Sequence, residues 1–210
     1  LTLLYRLDAP AAQVAARFGA EAGSDPWAGG AIAPGRFAPV ITAGREAIAG
    51  PRGAAQPRRV VPRLWGVPPP PSAGDSRHGV LSVRNPASPF WIGNLRNSEF
   101  RCLVPATAVI EWGRADPQSG RRRQHRFTLS DQPLFALAGV WKDSEVPSFA
   151  LLTCEANARW REAGHTAMPV ILPGEGEAWR LWLNAGWEAA ARLLAPYPSS
   201  LVRETQAVNS

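Results

Sequence analysis

The stretch LVPATAVIEWGR, residues 103–114, reads as an apolar strand that ends on a carboxylate, Glu111, set between Ile110 and Trp112. A carboxyl group shielded from water has its pKa raised toward neutrality and can then both hold and release a proton. His165, in GHTAMPVIL, is the second candidate for proton transfer, because imidazole titrates near neutrality without help. Each has an ordinary alternative: Glu111 as a strand-end side chain turned to water, His165 as a surface-loop residue. Trp65, in RLWGV, either stacks on an unpaired base or fills the core, one of nine tryptophans available for that purpose. His78 and His125 fall in polar loops and are assigned no role. Cys102 and Cys154 sit in apolar segments without CxxC or Cys/His spacing. They read as buried small hydrophobes of a reducing compartment, and no metal site is expected.

The elements that must hold these residues belong to a chain of 210 residues with 45% apolar content, enough for one large domain spanning residues 1–210. No apolar run reaches the roughly 20 residues a membrane span needs. The opening LTLLYRLDAP lacks the long apolar region and cleavage site of a secretory signal. A cytoplasmic protein with no membrane association is expected. Net charge is +6, and the cations are 22 Arg against one Lys, Lys142. Guanidinium suits bidentate phosphate contacts and stacking on bases, which favours an anionic partner. An Arg- and Ala-rich genome would leave the same composition.

Asp8 is positioned as the N-cap of an amphipathic helix with Val14, Ala15 and Phe18 on one face, ended by Gly23. Residues 29–50 and the segment RRVVPRLWGV read as strands and turns, followed by the stiff surface loop PPPPSAGDSRHG. VLSVRN and the strand holding Glu111 come next, then a polar basic hairpin-like loop over residues 114–126. FTLSD, LFALAGVW and SFALLTCEA read as strands. GEAWRLWLNAG and WEAAARLLAP have helical spacing, and SLVRETQAVNS reads as a closing strand. Many short strands with a few helices indicate a β-rich α+β domain.

The ordered set RLWGVPPPP, SVRNPASPFW, EFRCLVPATAVIEW, FALAGVW, LLTCEANARWREAGHTAMPVIL and AVNS resembles the SRAP family, the SOS response-associated peptidases or abasic site processing proteins. The resemblance runs from about Leu4 to the C-terminus. It implies barrel-like antiparallel sheets with a few flanking helices and a basic groove for single-stranded DNA. The implied chemistry is condensation of an N-terminal cysteine amine with the C1′ aldehyde of an abasic site, after which the thiol closes a thiazolidine. Glu111 and His165 fall on the family's Glu and His, and Arg84 on a family arginine. No cofactor is implied, and the expected partner of the monomer is single-stranded DNA carrying abasic sites.

Two positions depart from that pattern. Thr2 stands where the family has its cysteine, and Ser82 where it has an Asn in an N-x-R motif. Leu1 in place of Met suggests a non-ATG start or a truncated reading frame. A Thr2 amine can still form a Schiff base, but an oxazolidine closed by its hydroxyl hydrolyses far more readily than a thiazolidine. The expected activity is therefore a transient imine with β-elimination strand cleavage, assigned to Thr2, Ser82, Glu111 and His165, with Arg84 and Trp65 holding DNA. Two alternatives remain at this point: a DNA-binding module without covalent chemistry, and an N-terminal-nucleophile peptidase.

Overall fold

Neighbouring β7 (RCLVPA) and β10 (FALAGVWK) strands are apolar at almost every position rather than alternating, the mark of strands covered on both faces. The structure is a computed structural model and describes residues 4–23, 25–44, 57–70, 78–115, 118, 120–174 and 176–207. Among these, β1 (Leu4–Leu7), α1 (Ala11–Phe18), β2 (Ala20–Glu21), β3 (Gly30–Ile32), β4 (Phe37–Thr42) and β5 (Arg58–Trp65) come first. They are followed by β6 (Ser82–Val83), α2 (Pro89–Arg96), β7 (Arg101–Ala106), β8 (Ala108–Ala115) and β9 (Arg122–Leu129). Next come β10 (Phe135–Lys142), β11 (Ser148–Glu155), α3 (Ala158–Glu162), β12 (Ala167–Pro169) and β13 (Ile171–Leu172). The last elements are α4 (Gly176–Asn184), α5 (Trp187–Ala191) and β14 (Val202–Ala207). The class is the expected strand-rich α+β.

Two sheets share the core. The first has the order β14-β9-β8-β1-β3, and all its pairings are antiparallel. In the second, β11, β10, β7, β4 and β5 are neighbours in turn, and β5 then pairs with β11 to close a ring. This is the barrel-like closure, and it removes the edges that open strands would expose. The ring is not wholly antiparallel, as the resemblance implied. Five strands cannot alternate direction around a closed loop, so one pair must run parallel, and it is β5 with β11, through Ser148↔Leu64 and Phe149↔Trp65. β2 and β6 add further parallel pairings at β5 and β11.

Local expectations succeed where burial drives them and fail at the caps. Val14, Ala15 and Phe18 do face the core from α1. Asp8 is not the cap: its carboxylate accepts from the Arg6 guanidinium at 2.6 Å and from the Thr107 hydroxyl at 3.3 Å. Charge-assisted bonds of that kind outweigh a single capping bond. Pro10 takes the cap position, and the helix ends at Gly19, whose φ of 58° is left-handed, before Gly23 is reached. The basic stretch 114–126 is mostly strand, since β8 extends to Ala115 and β9 begins at Arg122. Helices α2 and α3 were not foreseen; α3 is capped by Asn157, whose Oδ1 accepts from the Trp160 N–H at 3.1 Å. No described helix is long and apolar enough to cross a membrane.

The ring is filled so tightly that one glycine is obligatory. A Cβ on Gly139, in β10, would lie 2.7 Å from both Cys102 Sγ and Val104 Cγ2 of β7. Gly139→Ala is expected to destabilise the protein by about 1–3 kcal/mol through overpacking. Urea unfolding checks this as a lowered midpoint at unchanged slope; an unaltered midpoint would mean that the ring has slack at its centre.

Candidate active site

The side chains of a strand alternate between faces, so Val109, Glu111 and Gly113 of β8 share one face. That face is turned inward, and Glu111 is completely buried. β8 is a central strand of the first sheet, with β9 on one side and β1 on the other. Leu4 of β1 pairs with Ile110, next to Glu111, and His125 of β9 pairs with Glu111 itself. Among the described residues, neither carboxylate oxygen of Glu111 has a hydrogen-bond partner. A carboxylate stripped of water and left without donors is costly, so burial pushes Glu111 up to about 7.

His165 follows α3 and precedes β12, and its backbone N–H donates to the Trp160 carbonyl at 2.9 Å. That bond, with Asn157 capping the helix, turns the imidazole toward the sheet. His165 Nδ1 lies 3.8 Å from Glu111 Oε2. The separation is within ion-pairing range, yet it is too long for a hydrogen bond. Burial lowers His165, and the neighbouring His125 lowers it further. With Glu111 raised and His165 lowered, we read the pair as two neutral groups between which a proton can move, rather than as a salt bridge. Two groups whose environments push both toward neutrality can serve as acid and base at the same pH.

The structure brings Glu111 and His165 together and distributes the other expected residues differently. Arg84 is exposed just after β6 and lines a cavity of about 660 Å³ with Thr153, Cys154 and Thr166, the residue after His165. Ser82 is half-buried on β6 opposite Leu151, on the strand that leads to Arg84. Trp65 takes its core role: it is completely buried, its Nε1–H donates to the Leu81 carbonyl at 3.1 Å, and Tyr5 and Phe149 cover the ring. It offers no face to a base. Thr2 lies outside the described residues.

One residue of the candidate site was missed. His125, read as part of a loop, is a strand residue on the same face as Glu111, and its Nδ1 is 2.6 Å from Glu204 Oε1 on β14. The polar run RRRQHR hides this, because nothing local marks it as half of a strand pair. Among the described residues no three His, Cys, Asp or Glu side chains gather as a metal ion would require.

A strand-rich α+β fold with a closed ring, and a buried Glu111 on the strand against which the first strand lies, faced by His165 from the α3 turn, defines a recognisable class. The chain belongs to the SRAP family: the model described as "SOS response associated peptidase (SRAP)" matches residues 4–210. Among curated relatives, the Abasic site processing protein YoqW of Bacillus subtilis is 33% identical over 90 residues, covering 40% of this chain and 38% of its own. The Abasic site processing protein YobE of the same organism is 35% identical over 89 residues, covering 40% and 39%. The matched segments thus span about two-fifths of the curated relatives' length. Solved structures are similar over nearly the whole chain. A protein of Bordetella bronchiseptica has a TM-score of 0.74 at 21% identity, with 100% of both chains covered. One from Bacteroides thetaiotaomicron has a TM-score of 0.72 at 19% identity, covering 98% of this chain and 92% of its own. At these identities the likeness is one of fold.

The elevated Glu111 predicts a stability signature. A carboxyl raised in the folded state contributes stability that is full below pH about 4.5, its unfolded value, and is lost as pH rises through about 7. The loss is on the order of 3 kcal/mol. Glu111→Gln is therefore expected to raise the thermal midpoint relative to the native chain at pH 8 and to give little or no gain at pH 4. Equal effects at both pH values would show that Glu111 ionises at its ordinary value.

Proposed function

We propose that this protein acts on abasic sites in single-stranded DNA, condensing the amine of residue 2 with the ring-opened C1′ aldehyde. The amine nitrogen adds to the carbonyl carbon to give a carbinolamine. Loss of its hydroxyl as water, with a proton supplied by the site, leaves the imine. The observation that carries this reading is the buried, unpartnered Glu111 within 3.8 Å of His165. Leu4 pairs with Ile110, the neighbour of Glu111, so the first strand begins beside the carboxyl. Membership of the SRAP family, and the abasic site processing names of the curated relatives, support the substrate class.

Thr2 in place of a cysteine sets the fate of the adduct. Without a thiol there is no thiazolidine, and the imine either hydrolyses or eliminates. In elimination a base removes a proton from C2′, the C3′–oxygen bond breaks, and the 3′ phosphate leaves with the downstream strand. Arg84, exposed beside the cavity next to His165, is assigned to phosphate contact, with the chain acting as a cytoplasmic monomer. The loss of both the cysteine and the Asn, at Thr2 and Ser82, favours a second reading, a module that holds single-stranded DNA without covalent chemistry.

The test uses protein whose first residue is established by intact mass and an oligonucleotide carrying one abasic site. Borohydride is expected to trap an adduct that is absent without it, and Glu111→Gln to slow trapping by about 10²-fold. A heat-stable crosslink formed without borohydride would contradict the transient imine. No adduct from a chain with a free Thr2 amine and intact DNA binding would establish the second reading.

A further inference from the structure

The site contains a second imidazole, and the fold fixes it more firmly than the first. His125 pairs directly with Glu111 across β8 and β9, so both side chains leave the sheet on one face. Its ring stacks over Phe127 at 6.3 Å, and Phe127 stacks on Trp160 at 3.9 Å and 15°. Trp160 is the residue whose carbonyl accepts the His165 N–H. One column of rings therefore connects His125 to the turn that carries His165.

The two ring nitrogens of His125 face different surroundings. Nδ1 is 2.6 Å from Glu204 Oε1, and both side chains are mostly buried, at 12% and 24% exposure. A carboxylate at that distance holds the proton on Nδ1, as it does in other imidazole–carboxylate couples. Nε2 lies over β8, where a Cβ on Gly113 would sit only 2.5 Å from it and 3.5 Å from the Ala163 carbonyl oxygen. Gly113 is two residues beyond Glu111, and its missing side chain is the space that the imidazole occupies. Ala163 belongs to the segment leading into His165, so His125 is wedged between the Glu111 strand and the His165 turn.

We propose that His125, locked by Glu204, is a positioning residue of this site that holds His165 in the form that accepts a proton beside Glu111. The inference rests on the imine-forming reading of the Glu111–His165 pair, and it adds a residue outside that pair. Its physical basis is the placement of His125 between the Glu111 strand and the turn that carries His165: when both nitrogens of His125 are protonated, a second positive charge on His165 is disfavoured. Direct electrostatic influence of His125 on His165 accords with this, second only to burial. The N-terminal amine lowers His165 in the same direction, and the other described groups around it lie on β8, α3 and β14. Glu111 faces it from β8 at 3.8 Å. On α3, Arg159 is paired with Glu162 at 3.2 Å, and Arg161 donates to the Ala156 carbonyl at 2.7 Å. Glu204 on β14 is bound to His125.

The chain has only three histidines, so imidazole nitrogen spectra can be assigned by single substitutions. In the native protein, without DNA, neutral His125 is expected to carry its proton on Nδ1. In His125→Gln the His165 titration should move upward, toward the ordinary histidine value, and in Glu204→Gln the Nδ1 tautomer of His125 should be lost. A native His125 protonated on Nε2, or a His165 titration unmoved in His125→Gln, would overturn the proposal. The tautomer is read in the native protein, and substitution of His78 and of His165 leaves the His125 signal assigned by elimination, so it decides the matter even where His125→Gln fails to fold. A second measurement follows borohydride trapping on abasic single-stranded DNA against pH. The acid limb of the native profile should move upward in His125→Gln together with the His165 titration, and a limb that stays in place while His165 moves would also overturn the proposal. Absence of any native adduct counts against the imine reading alone, because the nitrogen spectra test the coupling of the two histidines independently of it.

Discussion

A carboxyl group buried without a hydrogen-bond donor among the described residues is the constraint around which this site is organised. Glu111 is completely buried on the inner face of β8, and the loss of solvation of an ionised carboxylate there outweighs the opposing attraction of the N-terminal amine. The fold tolerates it by allowing the group to stay protonated near neutral pH. A side chain chosen for stability alone at that position would be apolar, as Val109 is on the same face. Retaining an acid inside the sheet is a stability cost that chemistry explains more simply than packing does.

The surrounding architecture serves to keep that environment dry and fixed. The closed ring of five strands supplies a rigid wall, and its necessary parallel contact between β5 and β11 buries Trp65 against Tyr5 and Phe149. Tyr5 lies on β1, the strand that pairs with β8, so packing of the ring and placement of the Glu111 strand are parts of one core. Aromatic contacts of this kind add about 0.5–1.5 kcal/mol beyond their buried area. On the other side, the Phe127–Trp160 stack ties β9 to the helix that delivers His165. Rigid elements therefore approach the Glu111–His165 pair from both sheet neighbours and from the α3 turn, as preorganised proton transfer requires.

Glu111 and His165 were legible as candidate site residues only through the family motifs around them, EW and GHTAMPVIL; taken alone, each reads as an ordinary strand-end or loop side chain. The strand-rich class was legible directly: runs such as FALAGVW and LLTCEA have the length and composition of buried strands. What remained hidden depended on pairing between distant segments. His125 lies in a run of arginines and glutamine that reads as a solvated loop, and only the register of β8 against β9 puts it opposite Glu111. That register shifts between Trp112 and Ala115, an irregularity that no local pattern announces. Glu204 is 79 residues further on and reaches His125 only because β14 closes the sheet beside β9. Trp65 was ambiguous in sequence because an indole suits both a core and a base-stacking surface; the ring closure decides for the core.

The most direct test of this account is the protonation state of Glu111 itself. Infrared difference spectra of the native protein and Glu111→Gln, titrated with pH, isolate the carbonyl stretch of one protonated carboxylic acid. The account predicts a Glu111 carboxylic acid band that persists well above the ordinary carboxylate range and disappears at about pH 7. A band lost near pH 4.5, as for a solvated glutamate, would contradict it and remove the reason for placing proton transfer at this site.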